Sequence, residues 1–156
     1  MNELDATISQ RLGAILRIDT ALNVHDDAPE SVDDVPAAIV GEISGSTSSA
    51  AFRGLKEATI TVRVILLVAL RGKEGLPIAS TLTRPWAGRV LGLLWTHDEL
   101  SPTDEVEPIG EIQSIAWKEG NINFGGVDFI GAEFTVEMRI DWQMYYGSGP
   151  VGTLPA

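Results

Sequence analysis

Apolar and polar residues alternate without a break over residues 134–142, near the C-terminal end of the chain. Successive side chains of a β-strand point to opposite faces, so this pattern predicts one long strand with two different faces. One face covers a core, and the other meets water or a partner. The apolar side carries Phe134, Val136, Met138, Ile140 and Trp142, and the polar side carries Thr135, Glu137, Arg139 and Asp141.

Two stretches have the spacing of amphipathic helices. In residues 3–17, Leu4, Ile8, Leu12 and Ile15 fall on one stripe. Residues 76–100 form a second helical region, in which Trp86, Val90, Leu93, Leu94 and His97 share a face. Pro85 is open to two interpretations. It occupies the first turn with Thr83 as the cap, or it kinks a longer helix that begins near Pro77.

The remaining apolar runs predict strands. Residues 37–43 form a short strand after a polar, irregular segment at 19–35. Residues 57–71 form a stronger one, which alternates up to Val64 and is apolar on both faces beyond it, so its second half is expected to be covered on both sides. The run 109–142 reads as a β-hairpin with its turn at Lys118–Asn121. Its interior glycines, Gly125, Gly126 and Gly131, predict bulges or bends.

Between the first two strands lies a stretch of small polar residues and glycines at 44–55, SGSTSSAAFRGL. Such a composition predicts a flexible loop. The loop is longer than the 2–5 residues usual in hairpins, and long loops are disproportionately functional. Ser46, Phe52 and Arg53 are therefore candidate contact residues for a partner, together with Thr135, Glu137 and Arg139 on the polar side of the last strand. The alternative is an inert hairpin connection.

Length and composition predict a single folded domain over residues 1–146, followed by a loose C-terminal tail at 147–156. The hydrophobic fraction is 44%, which is typical of a chain with a real core. There is no cysteine, which excludes disulfides, thiolate zinc sites and a cysteine nucleophile. The longest aliphatic run, Val64 to Leu70, is far shorter than the roughly 20 residues of a membrane-spanning helix, so no membrane segment is predicted.

The formal net charge is −11, from 22 acidic and 11 basic residues. A surface of this sign repels a phosphate backbone, because nucleic-acid binding usually depends on Lys and Arg. The charge serves solubility, or it lets DNA pass the protein without adhering. An acidic cluster before the hairpin supplies candidate residues for the wall of such a channel: Asp98, Glu99, Asp104, Glu105 and Glu107.

Signatures of catalysis are missing from the sequence. His25 and His97 are far apart, and neither has a second histidine at metal-binding spacing. The run Arg71 to Leu76 contains Gly-Lys without the spacing of a phosphate-binding loop. The four tryptophans suit core or interface packing better than a ligand pocket. We predict no catalytic, cofactor-binding or metal-binding residue, no cofactor, and no enzymatic activity.

The order of these elements resembles that of the tail terminator and tail-completion (neck) proteins of long-tailed bacteriophages. The resemblance rests on the strand that opens with Pro-Ala-Ala-Ile-Val at 36–40, on the helix that precedes the hairpin, and on the closing pattern GGVDFIGAEF at 125–134. It spans most of residues 1–142. The run Leu100 to Pro108 and the C-terminal tail are both longer than the family pattern.

The resemblance implies an α+β fold: a mixed or mostly antiparallel β-sheet with two helices packed on one face. It also implies a virion structural protein that assembles in the host cytoplasm into a homo-oligomeric ring, commonly a hexamer. Such a ring terminates the tail tube and joins it to the head connector or stopper protein. The implied partners are further copies of the chain, the tail tube protein and the connector, and DNA passes through without specific binding.

Two other functions stay open at this point. One is a small ligand-binding or hydrolytic α+β domain whose acidic residues form a pocket. The other is a different tail-tube or baseplate component, which would form unlimited polymers instead of closed rings.

Overall fold

The computed structural model describes residues 3–49, 56–71 and 76–141, which form an α+β fold of two helices and a five-stranded mixed sheet. The sheet order is β1-β2-β3-β5-β4; β1 pairs with β2 in parallel, and all other neighbours are antiparallel. In chain order the elements are α1 (Glu3–Leu16), β1 (Asn23–His25), β2 (Ala37–Ser49), β3 (Lys56–Leu70), α2 (Leu76–Thr96), β4 (Gly110–Phe124) and β5 (Val127–Asp141).

Both helices pack on the same face of the sheet, as predicted. The apolar stripe of α1 buries Ile8, Leu12 and Ile15, and α2 contributes Val90 and Leu94 to the same core. Every second residue of β3 from Ala58 to Val68, and of β5 from Ala132 to Ile140, points into this core, because side chains alternate along a strand. The predicted apolar side of β5 is buried over Phe134, Val136, Met138 and Ile140, whereas Trp142 lies outside the described residues.

A second, smaller cluster lies on the opposite face, at one end of the sheet. Ile39, Leu67 and Phe129 are buried there under Val32 and Val35, which belong to the segment between β1 and β2. The second half of β3 is therefore covered on both faces as far as Val68, as its apolar run predicted, whereas Leu70 at its end is exposed. The segment 26–36 reaches only this end, and the other end of the same face stays without a covering element among the described residues.

The predicted turn of the β4–β5 hairpin is wrong. Strand β4 runs through Lys118–Asn121 to Phe124, and the chain turns at Gly125 and Gly126. Both glycines have positive φ, 59° and 81°, which a two-residue hairpin turn requires and which glycine adopts without strain. Gly125 also packs against the backbone carbonyl oxygen of Glu30, where a Cβ atom would lie 2.5 Å from that oxygen.

Three further boundaries differ from the sequence prediction. Strand β2 extends to Ser49, so residues 44–49 of the predicted loop are strand, held by pairing with 56–61; residues 50–55 lie outside the described residues. The segment 19–35 contains the short strand β1, which owes its extended form to its parallel neighbour β2. Helix α2 begins at Leu76 with Pro85 inside it, which supports the longer of the two helices considered.

Candidate assembly surfaces

The uncovered end of the sheet presents a continuous polar surface on the side away from the helices. We call it the polar sheet face. It combines short hydroxyl side chains with charged ones on four adjacent strands. Its exposed members are Ser44, Ser46, Thr59, Arg63, Glu111, Ser114, Thr135, Glu137 and Arg139.

The strand register brings the predicted contact residues of this face together. Ser46 pairs with Thr59, Thr59 pairs with Arg139, and Arg139 pairs with Glu111, so one row crosses four strands. Thr135 and Glu137 lie in the neighbouring rows of β5 and are exposed, as predicted. Phe52 and Arg53 fall outside the described residues. The sequence analysis therefore selected residues of a single surface, but it did not predict that they lie next to one another in the sheet.

Two ion pairs cross the polar sheet face. The Arg63 Nε atom lies 2.7 Å from Glu133 Oε1, and Arg139 Nη2 lies 3.8 Å from Glu111 Oε2. The hydrogen bond to Glu133, helped by the charges of Glu133 and Glu42, raises the pKa of Arg63, so this guanidinium stays charged. Exposed pairs contribute little stability, about 0–1 kcal/mol, because water screens them. These charges can therefore exchange partners at small cost.

The acidic loop, residues 97–109, is held to α1 by Arg11 and to β4 by a backbone hydrogen bond from the Ile112 N–H to the Asp98 carbonyl oxygen (2.7 Å). Arg11 Nη1 donates hydrogen bonds to the carbonyl oxygens of Leu100 (3.1 Å) and Glu107 (2.7 Å). The buried side chain of Leu100 anchors the loop, and its φ of 61° reverses the chain there. Inside the loop, the carbonyl oxygens of Thr103 and Val106 both lie within reach of the Ser101 hydroxyl, which shares its single hydrogen between them.

This anchoring leaves most of the predicted channel-wall residues facing outward. Glu99, Asp104, Glu105 and Glu107 are exposed, and Asp98 is half-buried. The loop leads into Gly110, which pairs with Ile140 near the end of β5; the ends of the β2–β3 hairpin, Ser49 and Lys56, pair at this same end of the sheet. The structure thus places the acidic loop and the start of the predicted 44–55 loop at one end of the fold.

Sequence reasoning missed the outer edge of β4. Trp117 is 53% exposed there, and Lys118 beside it is exposed as well. Because the turn was predicted at Lys118–Asn121, the strand was expected to end beside Trp117, and residues 118–121 were not considered part of an exposed edge. A signal that would have revealed it is the apolar pair Ile122 and Phe124, which alternates with Asn121 and Asn123 directly before the Gly-Gly pair and so extends the strand past Asn121.

Two shallow depressions flank Trp117. One, of about 520 Å³, lies between β4 and α2 and is lined by Arg84, Gly88 and Leu91. The other, of about 610 Å³, lies on the strand itself and reaches Glu133 and Thr135. Both are open to solvent, unlike the enclosed, mostly apolar pockets typical of small-molecule sites.

No family model matches the chain, and a comparison with curated proteins finds no significant match. Among the described residues, no helix is both long and apolar enough to cross a membrane.

Proposed function

We propose that the chain is a structural protein of a phage virion, which forms a ring that terminates the tail tube and joins it to the head connector. The observation that carries the proposal is the polar sheet face. Among the described residues, the helices cover most of one side of the sheet, whereas the other side is covered only near Ile39, Leu67 and Phe129. A subunit that presents a broad, ordered sheet surface with exchangeable charges is suited to contact other subunits.

The charge of the chain supports the same proposal. With a net charge of −11 and an exposed acidic loop, an assembled ring repels the phosphate backbone of a DNA molecule that passes through it. The order of elements, which resembles that of tail terminator proteins, supports a ring over an unlimited polymer. A ring arises when a heterologous contact repeats with a rotation that closes.

The mass of the purified full-length chain tests the proposal. Native mass spectrometry and light scattering are expected to give one closed oligomer, and electron microscopy a discrete ring with a central opening. A monomer or dimer at all concentrations would favour the small ligand-binding or hydrolytic domain, and filaments of unlimited length would favour a tube or baseplate component.

A pair of variants connects the ring to the polar sheet face. Glu137→Arg places an opposite charge in the middle of this face, and it is expected to weaken assembly while the monomer stays folded. Gln10→Arg makes a similar change of size on the exposed side of α1 and is expected to leave the oligomer unchanged. Equal effects of the two substitutions would contradict a role for this face.

A further inference from the structure

Two sheet edges are left unpaired among the described residues. Among these residues strand β4 pairs only with β5, and its outer edge is open beyond Ile112, whose backbone N–H donates to the Asp98 carbonyl oxygen (2.7 Å). Strand β2 is covered by β1 only at Ala37, Ala38 and Ile39, so its outer edge is open from Val40 onward. Unpaired edges present backbone N–H and C=O groups that can accept another strand.

The two edges are chemically complementary. The edge of β4 carries the exposed Trp117 and the cation of Lys118, which forms no ion pair with any residue that the structure describes. The edge of β2 carries the exposed carboxylate of Glu42 and the half-buried Ile43. An aromatic–β-branched pair and an opposite-charge pair both favour cross-strand association.

From these edges we propose that the β4 edge of one subunit pairs, antiparallel, with the β2 edge of the next subunit. Lys118 then lies opposite Glu42, and Trp117 lies opposite Ile43. The inference rests on the proposed ring and specifies its subunit contact. The contact is heterologous, because each subunit offers a different edge on each side, and such contacts build rings when the rotation closes.

For a ring whose axis lies along the strands, the topology sets the direction of this pairing. Within the sheet, β2 is antiparallel to β3, β3 to β5, and β5 to β4, so β2 and β4 run in opposite directions. A rotation about an axis along the strands preserves strand direction. The β4 edge therefore meets the β2 edge of its neighbour in antiparallel orientation.

The faces of the two edges also match in this register. Lys118 and Glu42 both lie on the side away from the helices. Lys118 is the cross-strand neighbour of Glu133 on this side, and the negative charge of Glu42 helps to raise the pKa of Arg63, which lies on the same side. Trp117 and Ile43 both lie on the helix side, opposite Phe134 and Val62 respectively. Strand β1 sets the limit of the contact, because it occupies the β2 edge at Ile39 and before it.

Cysteine cross-linking tests the contact directly, since the chain contains no cysteine. The double variant E42C/K118C is expected to form disulfides between subunits on oxidation, giving a ladder of covalent oligomers. Within one subunit β3 and β5 separate the two positions by roughly 14 Å, which is three strand spacings. A disulfide spans at most about 7 Å between Cα atoms, so a bond inside one subunit is excluded.

Three controls accompany the double variant. E42C alone and K118C alone are expected to stay uncross-linked, because a heterologous contact brings no residue against its own copy. Q10C/K118C, with one position on α1, is expected to stay uncross-linked as well. Cross-linking of either single variant would indicate an isologous contact and would overturn the proposal.

Charge exchange provides a second measurement. K118E is expected to weaken assembly about tenfold, and E42K/K118E is expected to recover most of that loss, since the opposite charges are restored in exchanged positions. No recovery in the double variant, combined with no cross-link in E42C/K118C, would overturn the proposal.

The outcomes separate this contact from the proposed function. A closed ring without E42C/K118C cross-links would retain the ring and refute the edge contact. Cross-linked chains of unlimited length would retain the edge contact and refute the terminating role. A monomer without cross-links would refute both, and it would leave Lys118 as a charge that protects an exposed edge from aggregation.

Discussion

Gly131 of β5 passes so close to Leu66 of β3 that a Cβ atom on the glycine would lie 1.8 Å from the Leu66 carbonyl oxygen. The contact occurs where the pairing of the two strands shifts, between Leu67 and Ala69. The atom in the way is backbone in the centre of the sheet, so neither strand can move without disturbing the core.

We therefore expect Gly131→Ala to lower the free energy of unfolding by about 3 kcal/mol, since overpacking of this kind costs about 1–3 kcal/mol and occasionally more. Urea denaturation followed by tryptophan fluorescence measures the change. Gly92→Ala is the matched control. No atom lies within 4 Å of its added Cβ atom, and in an exposed helix this substitution stabilises by about 0.5–1 kcal/mol. A Gly131→Ala variant as stable as the parent would contradict the close approach.

A second prediction concerns Arg11, which joins α1 to both ends of the acidic loop. Arg11→Met keeps the apolar stem and removes both hydrogen bonds to Leu100 and Glu107. Hydrogen bonds from a charged donor contribute about 1.5–3 kcal/mol, so we expect a loss of stability of that order. Hydrogen exchange in the loop 97–109 is expected to accelerate more than in the sheet.

The control for Arg11 is Arg84→Met. Arg84 is 75% exposed, and its Nε atom lies 3.7 Å from Glu119 Oε2, so its removal is expected to change stability by less than about 0.5 kcal/mol. If both variants changed loop exchange equally, the loop would be held by something other than Arg11.

The fold was largely predictable because its longest elements have strict periodicity. The alternation in β5 and the first half of β3, and the helical spacing of Ile8, Leu12 and Ile15, are local patterns that the buried core confirms. The hairpin turn was not predictable in the same way. Lys118–Asn121 and Gly125–Gly126 both have turn composition, and only the pairing of β4 with β5 over the whole hairpin selects the second.

The candidate surfaces were predictable only in part, for a related reason. Thr135, Glu137 and Arg139 follow from alternation, but the row that joins Arg139 to Ser46 depends on the sheet order, which long-range pairing decides. The same holds for the open edges, because no local pattern shows that β4 is an outer strand. The three-residue strand β1 is too short for any periodicity and exists through its neighbour β2.

A third prediction concerns pH and the closed end of the β4–β5 hairpin. Hydrogen bonds from the side-chain amides of Asn123 (3.0 Å) and Asn121 (3.5 Å) stabilise the Asp128 carboxylate and lower its pKa below the ordinary value of 3.8. A carboxyl whose pKa is lower in the folded state contributes stability above its ordinary pKa. That contribution is lost as pH falls through the lowered value.

We therefore expect the Asp128 pKa, measured by NMR titration, to rise toward its ordinary value in Asn123→Ala. The rise in Asn121→Ala is expected to be smaller, because that amide is further from the carboxylate. Protection of the hairpin-end amides is expected to decline in acid in the parent and to depend less on pH in Asn123→Ala. Equal titration in all three proteins would show that the amides do not hold the carboxylate.

The last prediction concerns the acidic loop and DNA. Asp104, Glu105 and Glu107 are exposed at the end of the fold that also carries the β2–β3 connection. If this loop lines the path of DNA, the triple variant D104K/E105K/E107K replaces three negative charges that repel the DNA phosphates with three positive charges that attract them. Each Lys–phosphate contact adds affinity that falls steeply with salt.

The variant is expected to assemble as the parent does, because none of these three side chains makes a described hydrogen bond or ion pair. The purified oligomer is expected to retain double-stranded DNA at low salt and to release it at high salt, whereas the parent binds at neither. Asp27→Lys, Asp33→Lys and Asp34→Lys together add the same charge in the segment between β1 and β2, at the other end of the sheet. Equal DNA retention by the two triple variants would mean that total charge alone governs binding and that the acidic loop has no special place on the path.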